Sequence, residues 1–433
     1  MSLQNRSRVY PKSPPIKELR NILTSQSFGN FFNLSLNQGI NVLVAVIVNP
    51  YLFQTLGEEK YGLVLLGLTV IMLISILVNY GFHLNGPKRL ALLIQEPDQQ
   101  STLINEILWT KLYLALILLG LLMPAIFVFN LFPNYALILS FSSIILIGEV
   151  FFPMFILQGF DRLSLLSKSN ALSKLFYVAA IFAFVNAPED AIWVNFIFGA
   201  SSIIVNVILL IFIYRKWKIK LAWVLPSKVL VRLKENFQFF LSTIAGHVSV
   251  HGGYILLSNF VPDAELGRYG LAQRVAFLLR MIPVFLSQSI LQHASRLYDS
   301  DKDGFDSYLN KSYKGGLVLT FFIGLIFSLL APWVIRIVGG EFVDYSTNIL
   351  RILCFIPFFG MLNVANMIHI LVAERKDVLA KATWVTAIMM LILSALGSYY
   401  FGGYGLAVAL LMAELFSFAV HYWLLKKGNE TKD

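Results

Sequence analysis

Apolar runs of about 20 residues recur along the whole of this 433-residue chain, and they restrict its possible folds more than any other feature. A helix of about 20 apolar residues is what it takes to cross a hydrocarbon layer of ~30 Å. Composition agrees, because 57% of the residues are hydrophobic and only 13% are charged, against roughly a quarter charged in soluble domains. The sequence therefore predicts an all-α polytopic membrane protein.

About twelve transmembrane helices are predicted from these runs. The first six lie near residues 30–53, 61–82, 108–130, 135–157, 168–186 and 191–214. The second six lie near residues 237–260, 266–292, 313–335, 346–371, 378–401 and 404–425. The predicted segments are a cytoplasmic N-terminal segment (1–27), a six-helix lobe (28–214), a basic cytoplasmic linker (215–236), a second six-helix lobe (237–425) and a cytoplasmic tail (426–433).

Basic residues are concentrated in alternate loops. The N-terminal segment, the even-numbered loops and the tail hold most of the 34 Lys and Arg residues, including the stretch from Arg215 to Lys234. Cytoplasmic loops of membrane proteins carry this excess, so both termini are expected in the cytoplasm. The net charge of +10 is then expected to face lipid phosphates, and no nucleic-acid partner is predicted.

Two short motifs indicate that the chain is a parallel repeat. Lys60-Tyr61-Gly62-Leu63 opens the second predicted helix, and Arg268-Tyr269-Gly270-Leu271 opens the eighth. Six helices return a chain to its starting side, so the two lobes must share one orientation. Alternating-access transporters use this arrangement and bind substrate between the lobes. The single cysteine, Cys354, leaves no intrachain disulfide, and no signal peptide is evident at the N-terminus.

Neutral polar residues follow one side of two predicted helices. Helix 1 carries Asn33, Asn37, Gln38 and Asn41, and helix 7 carries Thr243, His247, His251 and Tyr254. Both stripes fit either hydrogen bonding between helices or a cavity wall that contacts sugar hydroxyls. Two histidines at i and i+4 suit a metal, but no third ligand accompanies them. No metal or cofactor is therefore predicted.

Charged residues within the predicted helices indicate an anion site. Arg274 and Arg280 lie too deep in helix 8 to reach the surface, and arginine binds phosphate through two donors. We predict that they bind the phosphate groups of an anion. The alternative is an ion pair with Glu149 or Glu414, the two mid-span acids, which could instead carry coupling protons. Two lysines near predicted cytoplasmic helix ends are expected to reach the surface along their flexible side chains, and a role in substrate binding is the alternative for either. These are Lys111 and Lys174.

Several motifs resemble the O-antigen/polysaccharide flippases of the Wzx type. They are Leu56-Gly57 through Lys60-Tyr61-Gly62, Tyr80-Gly81-Phe82 with Arg89 and Ala91, Pro153 through Leu157-Gln158-Gly159, and Tyr269 through Ala272-Gln273-Arg274. The resemblance covers most of residues 28–425. It implies the multidrug/oligosaccharidyl-lipid/polysaccharide exporter fold, in which two lobes form a V around a cavity. Gln273, predicted to line that cavity, stands where an acid is frequent, and Phe155 stands where Trp is frequent.

The resemblance also implies a function in the bacterial inner membrane. Such proteins flip undecaprenyl-diphosphate-linked oligosaccharide repeat units from the cytoplasmic to the periplasmic leaflet, which implies that Arg274 and Arg280 bind the diphosphate. The expected partners are this glycan, membrane lipids and other polysaccharide-assembly proteins, and a monomer is expected. A multidrug or small-solute exporter remains an alternative, although such exporters prefer acidic cavities. A membrane glycosyl transferase or polymerase is the other alternative, and the short outer loops and lack of an acidic catalytic pair argue against an enzyme.

Overall fold

The computed structural model of the protein describes residues 26–93 and 95–430, nearly all of which are helical. The predicted N-terminal segment therefore lies almost entirely outside the described residues. The first lobe consists of α1 (Gln26–Asn79), α2 (Phe82–Leu92), α3 (Pro97–Phe127), α4 (Ala136–Ser142), α5 (Ile144–Phe151), α6 (Met154–Gly159), α7 (Leu163–Phe184), a 3₁₀ turn (Pro188–Asp190) and α8 (Ala191–Lys216).

The second lobe repeats this order of long and broken helices. It consists of α9 (Pro226–Leu257), α10 (Asp263–Ser300), α11 (Lys302–Leu329), α12 (Ala331–Gly339), α13 (Asp344–Leu353), α14 (Ile356–Leu362), α15 (Val364–Val372) and α16 (Lys376–Glu430). The fourth and tenth predicted spans are the broken ones, α4–α6 and α13–α15.

Two helices are too long for one crossing. α1 has 54 residues and α16 has 55, so each measures about 80 Å along its axis. Gly57 (φ 73°) and Gly402 (φ 56°) interrupt them with positive backbone angles, which only glycine adopts readily. Each helix therefore turns there and crosses the membrane twice.

The number of crossings agrees with the sequence prediction. Within the described residues, nine helical stretches are long and apolar enough to span a membrane, and α1 and α16 are two of them. These nine give eleven crossings. α7 (22 residues) is the twelfth, and its two lysines explain why its hydropathy falls short of the other stretches.

Several helices begin before their apolar run. α3 starts at Pro97 instead of residue 108, and α11 starts at Lys302 instead of residue 313. Proline suits the first helical turn, and the Asp301 side chain caps α11 by accepting from the Gly304 amide at 3.0 Å. Because Pro226 likewise starts α9, the connection between the lobes is residues 217–225, shorter than the predicted linker.

The lobes meet tightly at the end that holds Gly57 and Gly402, which we call the kink end. A Cβ atom on Gly62 would lie 2.7 Å from the Gly267 amide nitrogen and 2.6 Å from the Asp263 carbonyl oxygen. Beside this contact, Arg268 binds Glu58 at 2.7 Å. The two repeat motifs found in the sequence therefore face each other across the closed kink end.

At the opposite end, which we call the linker end, α9 of the second lobe lies against α2 and α3 of the first. The Asn85 side chain donates to Asn236 at 2.9 Å, and Arg232 binds Glu106 at 2.5 Å. The rings of Tyr80 and Phe240 stack at 4.2 Å. α9 thus contacts both lobes at this end.

Candidate functional site

A cavity of about 560 Å³ lies between α1 and α10, at the junction of the lobes. We call it the α1–α10 cavity. Its lining is mainly apolar and comprises Gly39, Asn41, Val42, Ala45, Arg274, Phe277, Leu278, Met281, Ile282 and Phe285. Arg274 is the only charged residue among the described residues of this lining. The cavity therefore combines one fixed cation with a wall that suits a hydrocarbon chain.

Arg274 has no carboxylate partner among the side chains that the structure describes. It is half-buried, and its electrostatic neighbours include Tyr61, Tyr177 and His251. The Tyr61 hydroxyl donates to Asn49 Oδ1 at 3.1 Å, which leaves its oxygen free to accept. A guanidinium without a described carboxylate partner keeps donors available for an anion.

A second cation lies close to the first. Lys174 of α7 interacts electrostatically with Arg274, and its ammonium lies 4.0 Å from the centroid of the Phe198 ring. That geometry is a cation–π contact. The described neighbours of the lysine are aromatic rings, which carry no charge. The two positive groups therefore form a local excess of positive charge.

Arg280 has a different environment from Arg274. Its guanidinium binds the Glu414 carboxylate at 2.6 Å, and both side chains are mostly buried. A pocket of about 100 Å³ adjoins the pair. The ion-pair alternative considered for the two arginines therefore describes Arg280. The predicted diphosphate role remains open for Arg274.

A second chamber of about 220 Å³ lies between the end of α1, α2, α3 and α5 of the first lobe and α9 of the second. We call it the lysine chamber. Its lining comprises Ser75, Ile76, Asn79, Phe82, His83, Lys111, Glu149, Phe152, Met154, Phe155, Thr243 and His247. Lys111 is 2% exposed, and the Glu149 carboxylate accepts from Asn79 at 2.6 Å.

The polar stripe predicted on helix 7 divides between several environments. Thr243 and His247 line the lysine chamber, while His251 lies one turn further, its ring centroid 5.9 Å from that of His247. Tyr254 is buried, and its hydroxyl donates to the Leu266 carbonyl at 3.0 Å. A structural role explains Tyr254 better than the predicted cavity role.

On helix 1, Asn41 lines the α1–α10 cavity and accepts from Asn170 at 3.4 Å. The side chains of Asn33, Asn37 and Gln38 lie outside the described residues, so their predicted role stays a prediction. Gln273 is 8% exposed. It adjoins Arg274 in sequence and packs within the helical bundle.

Sequence reasoning missed the depth of two lysines. Lys111 lies 14 residues after the start of α3, about 21 Å along the helix, because α3 begins at Pro97. Lys174 likewise lies well inside α7, which begins at Leu163. Both were expected to reach the surface. The early helix starts, marked by Pro97 for α3, were the signal that could have corrected this.

Comparison with known proteins supplies a family model and two relatives that match in sequence. The family model described as "Polysaccharide biosynthesis protein" matches residues 27–294. A candidate O-antigen transporter of Shigella dysenteriae is 26% identical over 396 residues, covering 89% of this chain and 96% of that protein. Its counterpart in Escherichia coli (strain K12) is 25% identical over 391 residues, covering 89% and 93%.

Two solved structures share the fold. An inward-facing multidrug resistance MATE family transporter of the MOP superfamily matches with a TM-score of 0.74 at 12% identity, covering 93% of this chain and 99% of that chain. The lipid II flippase MurJ in an inward closed conformation matches with a TM-score of 0.71 at 16% identity, covering 93% and 87%. The prediction of a two-lobed exporter fold of about twelve helices is confirmed.

Proposed function

Because this chain belongs to the polysaccharide biosynthesis protein family, we propose that it flips a lipid-linked oligosaccharide, held by an undecaprenyl diphosphate, from the cytoplasmic to the periplasmic leaflet. The resemblance to O-antigen/polysaccharide flippases is confirmed. The relatives and structural neighbours are transporters and flippases. The prediction of a transporter, as opposed to a glycosyl transferase or polymerase, is therefore confirmed as well.

One observation carries the substrate proposal. Arg274 presents a guanidinium, which has no acidic partner among the described side chains, to a mainly apolar cavity between the lobes. A diphosphate accepts two hydrogen bonds from a guanidinium, and a polyprenyl tail packs against apolar walls such as Phe277 and Phe285. A cationic drug would instead be repelled by Arg274 and Lys174, which disfavours the multidrug alternative.

The charge pattern supports the proposed direction of transport. Positive loops at the linker end favour a cytoplasmic location for that end, and for both termini, in a bacterial inner membrane. The kink end, where Gly62 meets Gly267 and Arg268 binds Glu58, then faces the periplasm. The headgroup would enter from the cytoplasmic leaflet and leave when the kink end opens. Glu149 and Glu414 remain candidates for the coupling step, although Glu414 already neutralises Arg280.

Deletion of the gene tests this function. We expect lipid-linked oligosaccharide to accumulate in the inner leaflet, and wild-type protein to clear it. Arg274→Ala should clear it about 10- to 100-fold less efficiently, since a hydrogen bond to a charged group contributes ~1.5–3 kcal/mol.

The matched control is Arg351→Ala. Arg351 is exposed and bonds only the Asn348 side chain in its own helix. Membrane levels of each variant are compared by immunoblot. Full clearance by Arg274→Ala at wild-type protein level would refute the anion site, and no accumulation on deletion would refute the function.

A further inference from the structure

The lysine chamber holds two opposite charges, and no salt bridge between them occurs among the described side chains. Lys111 is almost completely buried and interacts electrostatically with Glu149. Yet no salt bridge joins them among the described side chains, and Glu149 takes its hydrogen bond from Asn79. Burying a charge without a close partner costs several kcal/mol. A ligand that contacts both groups would offset this cost.

The uncharged lining offers hydrogen-bond acceptors. The Ser75 hydroxyl donates to the Met72 carbonyl at 2.8 Å, and the Thr243 hydroxyl donates to the Phe239 carbonyl at 2.8 Å. Both hydroxyl protons are therefore used, and the oxygen lone pairs remain for a ligand. Together with the ammonium of Lys111, the chamber provides both donors and acceptors.

Aromatic rings form the rest of the wall. Phe82, Phe152 and Phe155 line the chamber, so a ligand there must have an apolar face as well as polar groups. The volume of about 220 Å³ far exceeds the ~10–15 Å³ that one ordered water needs. A sugar ring has these properties, because its hydroxyls both donate and accept while its C–H faces are apolar.

The chemistry of the lining disfavours other small ligands. A metal ion would meet the Lys111 ammonium, and no group of three His, Cys, Asp or Glu side chains suited to a metal occurs in the part of the chain that the structure describes. A phosphate or an acidic sugar would be repelled by Glu149, and an amino sugar by Lys111. A neutral sugar avoids both repulsions.

We propose that the lysine chamber binds an uncharged sugar of the lipid-linked glycan while Arg274 binds its diphosphate. α9 connects the two places, since His247 lines the chamber and His251, one turn away, interacts with Arg274. This inference rests on the proposed function and assigns the specificity for the sugar to Lys111, Glu149 and Thr243. Because α9 belongs to the second lobe, the sugar would contact both lobes at once.

Binding to purified full-length protein in detergent tests the inference. The probes are undecaprenyl diphosphate alone and the same lipid carrying one glucose or one N-acetylglucosamine, measured by native mass spectrometry. Wild type should bind at least one sugar-bearing probe about 10-fold or more tightly than the bare lipid. The double variant Lys111→Met/Glu149→Gln, which keeps the net charge, should bind all three probes equally.

Thr243→Val serves as the milder variant, since it removes one acceptor and keeps the side-chain shape. It should lower the sugar preference about threefold. Arg274→Ala should weaken the binding of all three probes by the same factor and keep the preference for sugar-bearing lipid. Failure of the diphosphate site is therefore distinguishable from failure of the lysine chamber.

The inference is overturned if wild type prefers neither sugar probe, or if both chamber variants are folded and keep the wild-type preference. Retained preference with an altered pH dependence of transport would assign the chamber to proton movement instead. Thermal unfolding in the same detergent establishes that each variant is folded.

Discussion

Arg274 and Arg280 lie fewer than two turns apart on α10, yet their surroundings differ completely. Arg280 is neutralised by Glu414 at 2.6 Å, whereas Arg274 borders a cavity and lacks an acidic partner among the described side chains. A paired charge in the membrane is part of the protein's internal packing, because its donors are occupied. An unpaired one is available to a visiting anion. Depth in a helix alone therefore does not identify a binding arginine.

Breaking the pair should have the largest effect. Glu414→Leu leaves Arg280 mostly buried without a counter-charge, which costs 3–5 kcal/mol at fully buried sites and about 2 kcal/mol at this partly exposed one. We expect the midpoint of thermal unfolding in detergent to fall by several degrees. The double variant Arg280→Met/Glu414→Leu should recover most of the loss, since no unpaired charge remains. If Glu414→Leu melts like wild type, the pair does not stabilise the fold.

A smaller effect is expected from Arg274→Lys, which keeps the charge and removes the two-donor geometry. Clearance of lipid-linked oligosaccharide should fall about 10-fold, and the unfolding midpoint should stay at the wild-type value. The matched variant is Arg280→Lys, which can still bind Glu414 and should export normally. Equal effects of the two lysine variants would contradict the contrast between the arginines.

The smallest effect is expected from His251→Ala. His251 is half-buried and lies beside His247, but no described carboxylate binds it. At each pH between 6 and 8, transport by this variant should differ from that of wild type by less than twofold, as measured by clearance of lipid-linked oligosaccharide. A pH-dependent loss of transport in this variant would assign His251 a titrating role.

Much of the architecture could be predicted from hydropathy and charge. Twelve crossings, the two equivalent lobes and the positions of both arginines follow from apolar runs, loop charges and the motifs at Lys60 and Arg268. Helix starts could not be read in the same way, because α3 continues well past its apolar run to Pro97. That error placed Lys111 near a surface, whereas it is 2% exposed.

The acidic partner of Arg280 could not be identified from the amino-acid sequence alone. Glu149 and Glu414 were equivalent candidates, and Glu414 is 134 residues from Arg280 in sequence. The packing of α16 near α10 within the second lobe brings these two groups together, while Glu149 is held by Asn79 of the first lobe. Local patterns report burial and periodicity, and they carry no information about which distant helix is the neighbour.

The contact between Gly62 and Gly267 has a practical consequence. A Cβ on Gly62 would collide with backbone atoms of the opposite lobe. A single added methyl group is therefore expected to prevent the two lobes from closing at the kink end. Replacing this glycine with a bulkier residue would keep the two lobes apart at the kink end. Such a variant offers a direct way to trap the conformation that is open at the kink end for structure determination.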